Sequence, residues 1–214
     1  MSPRYQDWLK HVFDHEVKDP CWYFEEDAPK FPAPPAEMVE LLSQTFHSSG
    51  RDLNLFSDAQ VDQGFWYLTG TGWHMDELYN SRVGWDSRVK CVRAIFQLYA
   101  DCFAKRCTET LGHQSEVGLP LNASCYMFWD QFTMPFRIYP GKHQDMHDVV
   151  LETLEHILAI PHRACREGAL HGLGHVAGVC PDRVGEIIDR FLGRPKLDAS
   201  LWAYAVKART GRVQ

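Results

Sequence analysis

Three pairs of histidines stand four residues apart: His11 with His15, His143 with His147, and His171 with His175. Four residues make about one helical turn, so each pair can present two imidazoles on one face, the arrangement that metal sites use. The glutamate of the His-Glu-x-x-His protease motif is missing, and spacing supplies no obvious third ligand. The pair at 171 and 175 is the most informative. At about 100° per residue, Cys165, Ala169, Leu173 and Val176 share one side of a helix and both histidines share the other, away from the main core. Their neighbours on that face, Ala164, Gly168, Gly172 and Gly178, lack bulk and let another backbone or a ligand come close. Two readings follow. In one, the helix packs tightly and each imidazole bonds a neighbouring carbonyl. In the other, His171 and His175 hold a divalent metal such as zinc, completed by His147, His156 or Glu152 of the preceding helix. His143 and His147 read as buried and neutral near a helix start, and His11 and His15 as rim residues of a first helix.

Other chemistry is poorly provided for. There is no serine nucleophile elbow, phosphate-cradling glycine loop or dinucleotide fingerprint, and Gly70-Thr71-Gly72 is too short to count. Glu25, Glu26 and Asp27 are adjacent on a proline-flanked loop, which gives no opposed acid and base, and no residue is assigned a catalytic role. Trp66, Trp73, Trp85 and Trp129 fall near helix ends and loops, where an indole packs and still donates its N–H. Lys and Arg are scattered in a chain of formal charge -6, so a nucleic-acid partner is not expected. The seven cysteines form no Cys-x-x-Cys pair, which suits a reduced cytoplasm. No apolar run reaches the length of about 18 residues that spans a bilayer, and Met1 to Lys10 has no apolar signal block.

The elements that must position these residues are helical. Tyr5, Trp8, Leu9, Val12 and Phe13 mark a first helix, which stops before Asp19-Pro20, and residues 25–35 form a proline-rich connector. Met38 to Phe46 predicts a second helix closing on a left-handed cap at Gly50. Ser57 to Gln60 has the form of a capping box for a helix reaching about Leu68. Gly70, Gly72 and Asn80 then make a loop-rich stretch. Val89 to Cys107 marks the longest helix, stopped at Gly112. Further helices pass through Tyr126 to Phe132, ended by Pro135; through Met146 to Leu158, after Pro140-Gly141; through 162–178; through Val184 to Phe191; and through Leu201 to Val206. Period-two alternation is nowhere long enough to seed a sheet. The expected fold is all-α: consecutive antiparallel helix pairs in one unit over 1–214, with 1–50 as an N-terminal extension.

An internal repeat adds to this. Val92-Arg93 with Phe96 and Ala100 aligns with Cys165-Arg166 with Ala169 and Leu173 at an offset of about 73 residues, half of which, about 36, is the length of a helical-hairpin repeat. The stretch Cys165-Arg166-Glu167-Gly168-Ala169-Leu170-His171-Gly172-Leu173-Gly174, within 162–178, resembles the second helix of a HEAT-like repeat of the kind found in phycobilin lyases. Ser87 to Phe103 and Asp198 to Gly211 resemble it more loosely. The resemblance implies a short α-solenoid whose concave side binds a partner. An irregular helical bundle is the alternative.

The first functional expectation is therefore a non-enzymatic scaffold, without a cofactor, in which Arg163, Arg166, Glu167, His171 and His175 hold another protein. The acidic balance would suit an immunity-like neutraliser of a basic partner. The second is a metal-dependent enzyme or metal-binding protein centred on His171 and His175. The third is a helical carrier with an apolar pocket lined by Trp.

Overall fold

The structure, a computed structural model, describes residues 1–71, 74–133, 136 and 141–213. Gly72, Trp73, Pro135 and Pro140 lie outside the described residues. Among the described residues every regular element is helical, so the protein is all-α. No helix there is long and apolar enough to cross a membrane. Where the sequence suggests one unit, contacts divide the chain into two compact ones, Met1–Cys102 and Phe103–Gln214.

In the first unit, α1 (Pro3–Phe13) starts on Ser2, whose hydroxyl accepts from the Tyr5 N–H, and buries Tyr5, Trp8, Leu9, Val12 and Phe13 as the spacing predicts. The Trp8 indole donates to Thr45 Oγ1 at 3.0 Å, joining α1 to α2 (Pro35–His47). Arg4 pins the proline-rich connector by bonding Glu37 at 2.8 Å and the Pro32 carbonyl at 2.6 Å. The N-terminal fifty residues are thus part of this unit's core. Both bonds of the capping box form at the start of α3 (Asp58–Trp66), which runs into a π-helical turn at Tyr67–Thr71.

Two boundaries differ from expectation. Gly50 is not a left-handed cap: α2 ends at His47, and Gly50 lies in a short helix, Ser49–Asp52. A Cβ on Gly50 would lie 2.8 Å from Asp101 Cβ and 3.0 Å from its carbonyl oxygen, so the glycine serves close approach instead of a turn. The long helix, α4 (Trp85–Gln97) with its π-helical continuation Leu98–Phe103 and last turn Ala104–Arg106, stops at Cys107, five residues before Gly112.

His11 is half-buried among Trp8, Trp22, Phe31 and Tyr67, bonded through Nε2 to the Tyr67 hydroxyl at 3.1 Å. Burial, followed by like-charge repulsion from His15 and His74, lowers its pKa from 6.5 to about 4. Between those values the unfolded chain holds a proton that folded His11 refuses. The contribution of neutral His11 to the first unit is therefore fully present above about pH 7, and, discounted for its partial exposure, a loss of about 2–3 kcal/mol is expected as pH falls from 6.5 to 4. Urea unfolding across that range should show this slope, and His11→Phe should flatten it. An unchanged slope in the variant would assign the acid sensitivity elsewhere.

The second unit contains α5 (Leu121–Phe132), α6 (Gln144–Leu158), α7 (Arg163–Val176), α8 (Pro181–Leu192) and α9 (Ala199–Ala208). Helix α7 packs on all four others. Its sequence permits this, because small and apolar residues cover most of its circumference and nearly every residue from Glu167 to Gly174 is buried. At Gly172 a Cβ would come within 2.9 Å of Trp129 and Leu154, so α5 and α6 close on α7 only because that side chain is missing.

Candidate metal centre

Glu167, His171 and His175 occupy successive turns of α7 and form a polar seam along one face. Helix α5 brings Tyr126 and Asp130, one turn apart, and α9 brings Tyr204. The start of α9 is fixed by Asp198, whose carboxylate accepts from the Leu201 N–H at 3.0 Å. A polar cluster thus draws on three helices of this unit.

At its centre the two Nε2 atoms of His171 and His175 lie 3.0 Å apart. Asp130 Oδ1 lies 2.5 Å from His175 Nε2 and 3.9 Å from His171 Nε2. For an ion bound at about 2.0–2.1 Å from each donor, tetrahedral geometry separates the donors by about 3.3 Å, so each of the three separations need change by no more than about 0.8 Å. His171 Nδ1 lies 2.8 Å from the Tyr204 hydroxyl, which is 3.0 Å from that of Tyr126. Burial, reinforced by Tyr126, raises the Tyr204 pKa, and burial raises that of Tyr126, so both phenols keep their protons. The tautomer consistent with a metal at Nε2 then has His171 Nδ1–H donating to Tyr204 and Tyr204 donating to Tyr126. A partner on the second ring nitrogen of this kind orients a metal-binding histidine. His171 is 1% exposed, whereas the side chains of His175 and Asp130 are 12% and 26% exposed, so the cluster opens toward solvent on their side.

The sequence pairs His171 with His175, and the structure brings them together. It corrects the rest of the expected set. The group that meets both imidazoles is Asp130 of α5, a candidate third donor, and not His147, His156 or Glu152 of α6: Glu152 and His156 face solvent, and His147 packs on Phe136 with Nδ1 3.4 Å from Cys180 Sγ. As expected for a buried neutral histidine, burial lowers the His147 pKa. The face carrying His171 does not turn from the core, because α5 and α9 cover it. For the same reason the five residues expected to meet a partner do not form one open surface. Glu167 and His171 are buried, and Arg163 is bonded to the Glu109 carbonyl at 2.9 Å, leaving Arg166 half-buried beside them.

Glu167 has a separate task. Its carboxylate accepts the backbone N–H groups of Gly112 at 2.8 Å and His113 at 2.9 Å, and bonds His113 Nδ1 at 2.6 Å. The His113 ring stacks on Tyr204 with centroids 4.1 Å apart. Spacing does not reveal His113, Asp130, Tyr126 or Tyr204 as members of the site. The one available signal is Tyr126 and Asp130 at four residues apart, on a helix otherwise rich in apolar side chains.

A second cluster gathers cysteines at the other end of α7. None of the seven cysteines is in a disulfide. Cys165, in the first turn, has its thiol pKa held down by Cys125 and then His162 against the opposing effect of burial.

Comparison with protein-family models, curated proteins and solved structures gives no match to this chain.

Replacing Tyr204 by Phe deletes the bonds to His171 and Tyr126 without changing the ring. It is expected to lower stability by about 1–2 kcal/mol, since both partners are left wanting. It should also weaken zinc binding about tenfold by freeing the His171 ring. Zinc titration against a chromophoric chelator would measure the second effect, and an unchanged affinity would remove Tyr204 from the centre.

Proposed function

We propose that the second unit binds a divalent transition-metal ion, zinc foremost, through Nε2 of His171, Nε2 of His175 and a carboxylate oxygen of Asp130, and that the protein is a metal-dependent enzyme. The observation that carries this reading is the convergence of three metal-binding atoms from two helices within 3.9 Å. Two imidazoles and a carboxylate form a donor set for zinc or ferrous iron. Three protein donors leave a coordination position for water or substrate, as catalytic zinc sites do and closed structural sites do not. Such an ion would supply acidified water or polarise a bound carbonyl or phosphoryl group. The partial exposure of Asp130 and His175 gives that position access.

The test is metal analysis of the full chain, purified without a histidine tag and incubated with zinc, beside the His171→Ala, His175→Ala double variant. Stoichiometric zinc in the parent and its loss in the variant are expected. A parent that retains none after dialysis, or a variant that retains as much, overturns the reading.

One feature favours the scaffold as a second reading. Trp202 and Val206, one turn apart on α9, are 50% and 38% exposed and offer an apolar strip to another protein. The contacts of α7 with α5 and α9, and of α6 with α8, are compatible with the HEAT-like stacking that the sequence suggests. A net charge of -6 would favour a basic partner, and seven cysteines outside any disulfide a reducing compartment such as the cytoplasm.

A further inference from the structure

A cleft of ≈ 630 Å³ lies beside α9 and the chain that follows it, lined by His113, Tyr204, Lys207 and Arg212 with Val206, Gly211 and Val213. We infer that this cleft is a binding site for a small oxyanion, a phosphate ester or a carboxylate, held by Lys207 and Arg212 beside the His113 ring. The inference does not depend on a metal at Asp130.

The backbone explains how the two cations come together. Helix α9 ends in a Schellman cap: the Arg212 N–H bonds the Lys207 carbonyl at 3.0 Å and the Gly211 N–H bonds the Ala208 carbonyl at 3.0 Å. This requires the left-handed φ of 71° at Gly211, which a glycine adopts without strain. The cap turns the chain back so that Val213 lies against Gly174, where a Cβ would approach Val213 within 2.5 Å. The backbone positions of Lys207 and Arg212 are thereby both brought to the cleft.

The opposite group is equally constrained. His113 is held by Glu167 through both its backbone N–H and its Nδ1, and its ring is clamped on Tyr204. With Nδ1–H donating to Glu167, the neutral ring leaves Nε2 as an acceptor, which suits an O–H of the ligand such as that of a monoprotonated phosphate. An imidazole oriented in advance loses little rotational freedom when it bonds one.

Charge decides the ligand class. Among the described residues the lining carries two permanent cations and no carboxylate. Lys207 and Arg212 make no ion pair among the described residues, and the bond from the Arg212 guanidinium to a side chain is to the Thr210 hydroxyl, at 3.0 Å. In a chain of net charge -6, two adjacent unpaired cations facing a cleft form a local field opposite to that of the whole. Of the carboxylates near Tyr204, Glu167 is buried behind the His113 ring and spent on three hydrogen bonds, and Asp130 is paired with His175.

The experiment is an NMR titration of the full chain with inorganic phosphate at constant ionic strength, following the His113 ring resonances, repeated on the Lys207→Ala, Arg212→Ala double variant. Both replaced side chains are exposed, so the variant should keep its far-UV circular dichroism. Saturable shifts in the parent, at least tenfold weaker in the variant, are expected. Shifts that do not saturate, or that persist unchanged in the variant, overturn the inference. Parallel titrations with phenyl phosphate and benzoate separate a phosphate-ester ligand from a carboxylate. The same titration after chelator treatment, on an Asp130→Ala chain, separates this site from the metal centre. Retained binding supports the cleft, and lost binding would place the anion on a metal ion and refute it.

Discussion

A chain carrying Glu167→Ala is expected to lose about 3–5 kcal/mol of stability in its second unit, the scale of a buried charge network broken on one side. The carboxylate is 1% exposed and accepts three N–H bonds, two from the backbone of Gly112 and His113 and one from the His113 ring. Alanine leaves those donors facing a vacated pocket, and each unsatisfied buried donor costs about 1–3 kcal/mol. Water entering the gap would recover part of this, which keeps the total below the sum. Glu167→Gln preserves the shape and one accepting oxygen but turns an NH2 toward at least one donor, so a cost of about 1–3 kcal/mol is expected. Native-state hydrogen exchange of the α7 amides isolates the second unit and gives both values. An alanine variant within about 1 kcal/mol of the parent would show that the turn at 112–114 is held by something other than Glu167. The same variant should release the His113 ring and weaken phosphate in the cleft, connecting a buried residue to a surface property.

Helix α7 shows both the reach and the boundary of the sequence. Periodicity sorts its residues correctly into faces, and the four-residue spacing of His171 and His175 brings their Nε2 atoms to 3.0 Å. What it does not convey is that both faces are buried. The apolar face is expected to meet the core and the face with Gly168, Gly172 and the histidines to meet a ligand or partner, yet α5 and α9 cover the second face. The missing bulk at Gly172 is indeed a signal of close approach, but what approaches is Trp129 of the same unit. Local signals fare well where the interaction is local, as with the Ser57 capping box. They fail at Gly50, whose neighbour Asp101 is distant in sequence, and at Asp130, which reaches His175 from α5 instead of from the adjacent helix α6. A lone aspartate on an apolar helix becomes informative only when tertiary packing supplies the imidazoles opposite it.

Asp130→Ala is expected to reduce zinc affinity by about 3 kcal/mol or more, roughly 100-fold, because it removes the only charged donor of the proposed centre. Asp130 also pairs with His175 when no ion is bound, so loss of binding by itself would not distinguish a ligand from a structural prop. Asp130→Asn makes the distinction. The amide keeps an oxygen within reach of His175 and should leave the unfolding midpoint of the zinc-free chain close to that of the parent. It lacks the charge, however, that stabilises a divalent ion against two neutral imidazoles. The expected order of zinc affinity is therefore parent, then Tyr204→Phe about tenfold weaker, then Asp130→Asn, then Asp130→Ala. That order ranks a group that orients a ligand above a weakened ligand and a missing one. If Tyr204→Phe instead lost more zinc than Asp130→Ala, the ion would have to sit nearer the phenols than the carboxylate, and the Asp130, His171, His175 assignment would fail.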